Sequence, residues 1–233
     1  MTTAAAWGLG TALKSSAKSR AHRVLFSLIL TVLAGVSAGR AAEPSAQASD
    51  EAALRQAIQN VDDPDLQTRW EALAELCRLG PKAAPAIPVL IQRLEQEQDL
   101  YRVVSTLGLI GPASASALPS LSKRLEFLLS DAAAGYGDRE IETIGLIETL
   151  QRIGPHSGQP ILLLRKALKD KYSIIRYFAA HALGEMGPVA AGAEPDLAAL
   201  SGDHEYVGLY EYPHGKDVAE SAAGALKKLK AND

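Results

Sequence analysis

One cysteine, two tryptophans, two methionines and three phenylalanines stand among 233 residues, and each scarcity excludes something. Cys77 has no partner for an internal disulfide and is expected to be a small buried thiol, so stability must come from packing. Aromatics are 5% of a chain that is 47% hydrophobic, which leaves alanine and leucine to fill the core and suits closely packed helices better than sheets. The chain lacks a Walker phosphate loop, a nucleophile elbow and a Cys–His pair at catalytic spacing. With 22% charged residues, 19 Gly and 12 Pro it lies in the ordinary globular range, so disorder and collagen are excluded.

Acidic residues are also absent before Glu43, where Lys14, Lys18, Arg20, Arg23 and Arg40 stand alone. Four of these precede the apolar run Val24 to Val36, which is 13 residues long, whereas a membrane span takes about 20. Small residues follow at Val36-Ser37-Ala38 and Gly39-Arg40-Ala41, the layout of a signal peptide cut after Ala38 or Ala41. The expected organisation is a leader over 1–41, a short linker over 42–49 and one domain over 50–233. An uncleaved anchor is the alternative, and with no Cys after the run a bacterial lipid anchor is disfavoured. Cleavage after Ala41 leaves 19 cations against 27 acids, a net charge of −8. A nucleic-acid binder is normally basic, so that class is set aside.

The rest of the chain repeats itself. Leu79-Gly80-Pro81, Ile110-Gly111-Pro112, Ile153-Gly154-Pro155 and Met186-Gly187-Pro188 each end an apolar segment, at steps of 31, 43 and 33 residues. A second proline follows each time, with leucine two further on: Pro88 and Leu90, Pro119 and Leu121, Pro160 and Leu162, Pro195 and Leu197. Glycine accepts the left-handed conformation that ends a helix, the next proline cannot continue it, and the later proline suits a first turn. Each unit therefore stops one helix and starts another.

Eight, seven, four and one residues before each glycine stand Ala72, Leu73, Leu76, Leu79; Val103, Val104, Leu107, Ile110; Leu146, Ile147, Leu150, Ile153; and Ala179, Ala180, Leu183, Met186, a single buried helical stripe. Ala222, Ala223, Leu226 and Leu229 repeat it near the end, with Lys230 in the glycine's place. The expected fold is all-α, about five antiparallel helix pairs stacked as an α-solenoid, with no strand. First (A) helices are expected near 50–60, 85–96, 117–130, 160–169 and 194–201, and second (B) helices near 66–79, 100–110, 138–153, 172–186 and 217–230.

The run from Ile175 through Arg176, Tyr177, His181, Leu183 and Met186 to Gly187-Pro188 resembles the short bacterial HEAT repeat, including the phycobilin-lyase HEAT-like class, and the resemblance spans roughly residues 50 to 230. It implies an ARM/HEAT-type superhelix and, in function, scaffolds, adaptors, lyase subunits or a few enzymes. The arginine that the family carries early in helix B matches Arg69 and Arg176, while the aligned residues are Leu100, Thr143 and Ala219, which breaks the column.

Ten residues before each repeat glycine, or its equivalent, stand Trp70, Tyr101, Ile144, Tyr177 and Glu220. Small residues near them, Cys77, Ser105, Gly108 and Gly184, are expected to leave room for the rings, and His181 shares the stripe. The column either fills grooves between neighbouring helices or forms an aromatic ladder on an inner surface, as interface anchors do. Both long steps insert about a dozen residues at the A–B turn: Leu129 to Asp138, with Tyr136, and Ser201 to Lys216, with Tyr206, Tyr210 and Tyr212. These are spacers, or they build a binding edge, where tyrosine offers contact area at small entropic cost.

For metal chemistry, Asp203, His204, Glu205, Glu211 and His214 are the candidates, but nothing in the sequence sets their geometry, and a di-iron HEAT-type hydroxylase would need more than the one His204-Glu205 pair. His156 reads as a solvated loop residue. The resulting expectation is an exported, monomeric, non-enzymatic scaffold or adaptor without cofactor or metal, periplasmic or secreted. Its partner would be a protein or peptide, and only the leader would meet a membrane. An accessory subunit of an enzyme, like a phycobilin-lyase factor, is the rival, and a metal-dependent enzyme a third reading.

Overall fold

The computed structural model describes residues 44–97, 99–133, 139–154, 158–207 and 217–230. The chain divides into units Met1–Ala48 and Ser49–Asp233. Among the described residues the second unit is helical, the one β feature being an isolated antiparallel bridge between Tyr206 and Asp217.

The helices are α1 (Pro44–Asn60), α2 (Leu66–Leu79), α3 (Ile87–Glu95), α4 (Leu100–Ile110), α5 (Leu118–Leu128), α6 (Arg139–Ile153), α7 (Gly158–Ala167), α8 (Ser173–Met186), α9 (Glu194–Ala198) and α10 (Val218–Leu229). Each expected A and B helix is present, with ends shifted by a few residues. The first helix starts earlier than the expected residue near 50: α1 begins at Pro44, because proline is tolerated in a first turn and the following serine, alanine and glutamine continue the helix.

Gly80, Gly111 and Gly187 end α2, α4 and α8 with φ of 53°, 79° and 66°, the left-handed region expected of them. Gly154 ends α6 for another reason. Its φ is ordinary, but a β-carbon would meet Pro160 Cγ at 2.9 Å and Leu118 Cδ2 at 3.1 Å, so this glycine permits close approach. The sequence did not announce the segments that follow the other three glycines, which are 3₁₀ turns over Gly80–Ala86, Gly111–Ala117 and Gly187–Ala193. Three residues per turn put Ala83 and Ala86, Ser114 and Ala117, and Ala190 and Ala193 on one buried edge. Pro88, Pro119 and Pro195 then sit in the first turns of α3, α5 and α9.

All sixteen stripe positions of α2, α4, α6 and α8 are buried. In α10 the stripe is corrected: Ala222 and Leu229 are buried, but Ala223 is exposed and Leu226 half-buried, because among the described residues α10 packs a B helix, α8, on one flank only. The B helices pack in chain order, α2 on α4, α4 on α6, α6 on α8 and α8 on α10; the A helices α3, α5 and α7 do likewise, and α3, α5, α7 and α9 pack on α4, α6, α8 and α10.

Candidate functional site

Where consecutive B helices meet, the residue three before one glycine faces the residue five before the next. Cys77 Sγ lies 3.1 Å from Thr106 Oγ1, a β-carbon on Gly108 would meet Thr149 Oγ1 at 2.8 Å, and one on Gly184 would meet Ala225 Cα at 2.8 Å. The small residues expected to make room for aromatic rings instead admit the neighbouring helix. Cys77 is half-buried, and burial pushes its thiol up, which keeps it protonated and inert.

This seam also receives the aromatic column. The half-buried Trp70 donates its indole N–H to Asp99 Oδ1 at 3.0 Å, and the Arg102 guanidinium lies 4.5 Å above its ring. Tyr101, also half-buried, lies 3.9 Å from where a β-carbon of Gly145 would be. Tyr177 is buried with Val207 and Val218, edge-on to Phe178 at 5.5 Å between centroids. The rings therefore pack between neighbouring elements; Trp70 and Tyr101 remain partly open, whereas Tyr177 is closed over by Val207 and Val218. His181, in the same stripe, is exposed beside Glu185 at 3.7 Å.

At the A–B turn a charged chain runs through the repeats. Arg69 donates to the carbonyls of Asp63 and Pro64 and to Asp99, and Arg176 repeats the arrangement with Asp170, Lys171 and Asp203. Where the arginine column breaks, other residues take its place: Arg93 pairs with Asp62 and Asp99 at 2.6 Å each, Arg124 with Glu142 at 2.6 Å, and Arg139 reaches the Leu128 carbonyl and Asp170. Arg93, Arg124, Arg139 and Glu142 are all buried. Sequence reading missed them; the signal that could have found them was an arginine at the same late position of two A helices, Arg93 and Arg124, while Arg139 and Glu142 open the B helix α6.

The second insertion begins packed against α8. Val207 is buried on Tyr177, while Tyr206 is 62% exposed and its backbone bridges to Asp217. Of the metal candidates, Asp203 and Glu205 both accept from Arg176, and His204 Nδ1 lies 2.8 Å from Asp217 Oδ2. The hydrogen bond from Arg176 holds the Asp203 carboxyl below its usual range, and that from His204 does the same to Asp217. Both carboxylates thus have internal partners, and no metal-binding group of three or more such side chains occurs among the described residues. A groove of about 350 Å³ beside them is lined by Leu197, Ser201, His204, Asp217, Glu220 and Leu226, between the chain after α9 and the outer flank of α10. Tyr136, His156, Tyr210, Glu211, Tyr212 and His214 lie outside the described residues.

No protein-family model matches the chain, and no curated protein matches it.

Proposed function

We propose that this chain is an exported, non-enzymatic α-solenoid of the short HEAT type, an adaptor that holds a protein or peptide on the open face of its B helices and along the A–B edge. The observation that carries this reading is the seam. Each B helix buries its stripe on one side and packs its flanks on the helices before and after it. The remaining side, with Ser105, Glu148 and His181 in register and the edges of Trp70 and Tyr101 beside them, has no helix over it among the described residues. Rows of partly open aromatic and polar side chains on a rigid support are what interfaces use. The exposed Tyr206, fixed at its root by Val207, extends that surface to the edge.

The test is affinity capture from the envelope fraction. Changing Tyr206, Tyr210 and Tyr212 together to Ala is expected to reduce capture of the natural partner at least about tenfold with an almost unchanged melting temperature, because hot-spot losses of about 2 kcal/mol exceed what an exposed loop contributes to folding. Full capture by this variant would limit binding to the B-helix face. Trp70→Ala belongs beside it and is expected to lower both affinity and stability, since that ring also packs under Arg102. N-terminal sequencing of the natural protein is expected to start near Gly39 or Ala42; an intact Met1 in a cytoplasmic fraction would refute export.

A further inference from the structure

Glu148 differs from five acids of the A–B turns and B helices. Asp99, Glu142, Asp170, Glu185 and Asp203 each meet an arginine or lysine. Glu148 accepts no hydrogen bond and makes no ion pair among the described residues; the nearest opposite charge, Arg152 one turn on, acts through space. Its side chain is open to solvent, yet burial among the surrounding helices raises its carboxyl above the ordinary glutamate range. Glu148 shares one face of α6 with Ile141 and Ile144, which precede it by seven and four residues.

The register identifies the flanks. Ser105 and His181 occupy the same repeat position on α4 and α8, which pack directly on α6. Toward the N-terminal end of α6 stand Ile144, half-buried, and Ile141, 39% exposed. The Tyr101 ring approaches from α4, close enough to feel the charge of Glu148. Arg102 is stacked on Trp70, and Arg152 lies toward the other end of the helix. An apolar shelf thus adjoins one carboxylate that no cationic side chain contacts among the described residues.

We propose that this face receives an extended segment of the partner through a lysine or arginine, whose aliphatic stem lies over Ile144 and Tyr101 and whose cation meets Glu148. Long cationic side chains are built for such a surface, an apolar stem with a charged head, and a tyrosine edge or face nearby adds to the attraction. This deepens the adaptor reading and rests on it, naming the chemistry of the partner.

The probe is a set of fluorescein-labelled nine-residue peptides of leucine, valine and serine around a central lysine, each paired with its Nε-acetyl-lysine counterpart, titrated against protein purified from cells expressing the full chain. The lysine peptides are expected to bind at least about tenfold tighter than the acetylated ones, the value of one well-placed charge pair. Glu148→Gln is expected to abolish that preference while keeping or raising the melting temperature, and Glu126→Gln, an exposed carboxylate on α5, to preserve it. Equal binding of both peptide types, binding of neither, or a lysine preference that survives Glu148→Gln overturns the proposal. The adaptor reading is judged separately: a natural partner captured equally by the parent and by Glu148→Gln removes the cation site and leaves the adaptor, whereas a parent that captures no partner removes the adaptor itself.

Discussion

Asp99 begins α4 with φ of 49°, a left-handed conformation that aspartate and asparagine tolerate better than most residues. Its carboxylate takes the Trp70 indole and the Arg93 and Arg69 guanidinium groups, tying α2, α3 and α4 at one atom pair. Burial works against its charge, and those three donors outweigh burial and hold the carboxyl below the usual aspartate range. A carboxylate lowered in the folded state contributes stability above its unfolded value, near 3.8, and loses it as pH falls through the folded value. Asp99→Asn keeps the backbone preference and removes the charge. It is expected to cost about 2 to 4 kcal/mol at pH 7, and progressively less as pH drops below about 4. Urea denaturation of both proteins at pH 7 and pH 3 checks it; an equal difference at both pH values would refute the assignment. Sequence reading found Arg69 and the break at Leu100, but neither Asp99 nor Arg93, because partners 30 and 31 residues apart carry no local pattern.

Two glycines near the carboxyl end separate backbone propensity from packing. Gly184 of α8 and Gly224 of α10 are both helical, where alanine is intrinsically better by about 0.5 to 1 kcal/mol. A β-carbon on Gly224 would meet nothing within 4 Å, while one on Gly184 would meet Ala225 Cα at 2.8 Å and Cβ at 3.0 Å. Gly224→Ala is therefore expected to raise stability by about that 0.5 to 1 kcal/mol. Gly184→Ala is expected to lower it by about 1 to 3 kcal/mol, because the obstacle is backbone and the helices must part. Melting temperatures moving in opposite directions confirm the seam; two increases would mean that α8 and α10 can separate at no cost. The B helices themselves were legible because their stripe recurs at helical spacing. Which flank of each helix would face its neighbour was not, since Gly184 reads equally well as room for Tyr177 or as a seat for the next helix.

Across the molecule, packing in chain order makes damage local. Leu150 is fully buried in the last turn of α6, the central B helix, and Leu150→Ala is expected to cost about 2 to 5 kcal/mol. Leu200, half-buried beyond α9, is expected to tolerate alanine better, by at least about 1 kcal/mol. Native-state hydrogen exchange of Leu150→Ala should show the loss of protection largest in α6 and its packing partners α4 and α8, and smaller in α2 and α10. Uniform loss along the chain would mean that the helix pairs form one cooperative body, against the additive stack that a solenoid implies.

Local pattern was enough for the helices found among the described residues, for the buried stripe of α2, α4, α6 and α8 and for most boundaries, because a Gly-Pro stop, a first-turn proline and a 3.6-residue period all act within one or two turns. It did not determine the roles of the polar side chains. Asp203 and Glu205 suit a metal on paper, but the same atoms answer Arg176 from a helix 27 and 29 residues earlier, a pairing that exists only once α8 and the chain after α9 are side by side. Glu148 is the converse case. Nothing near it in sequence distinguishes it from any solvated glutamate, and its lack of a partner arises because stacked helices bring Tyr101, Ser105 and His181 to its level without supplying a cation against it.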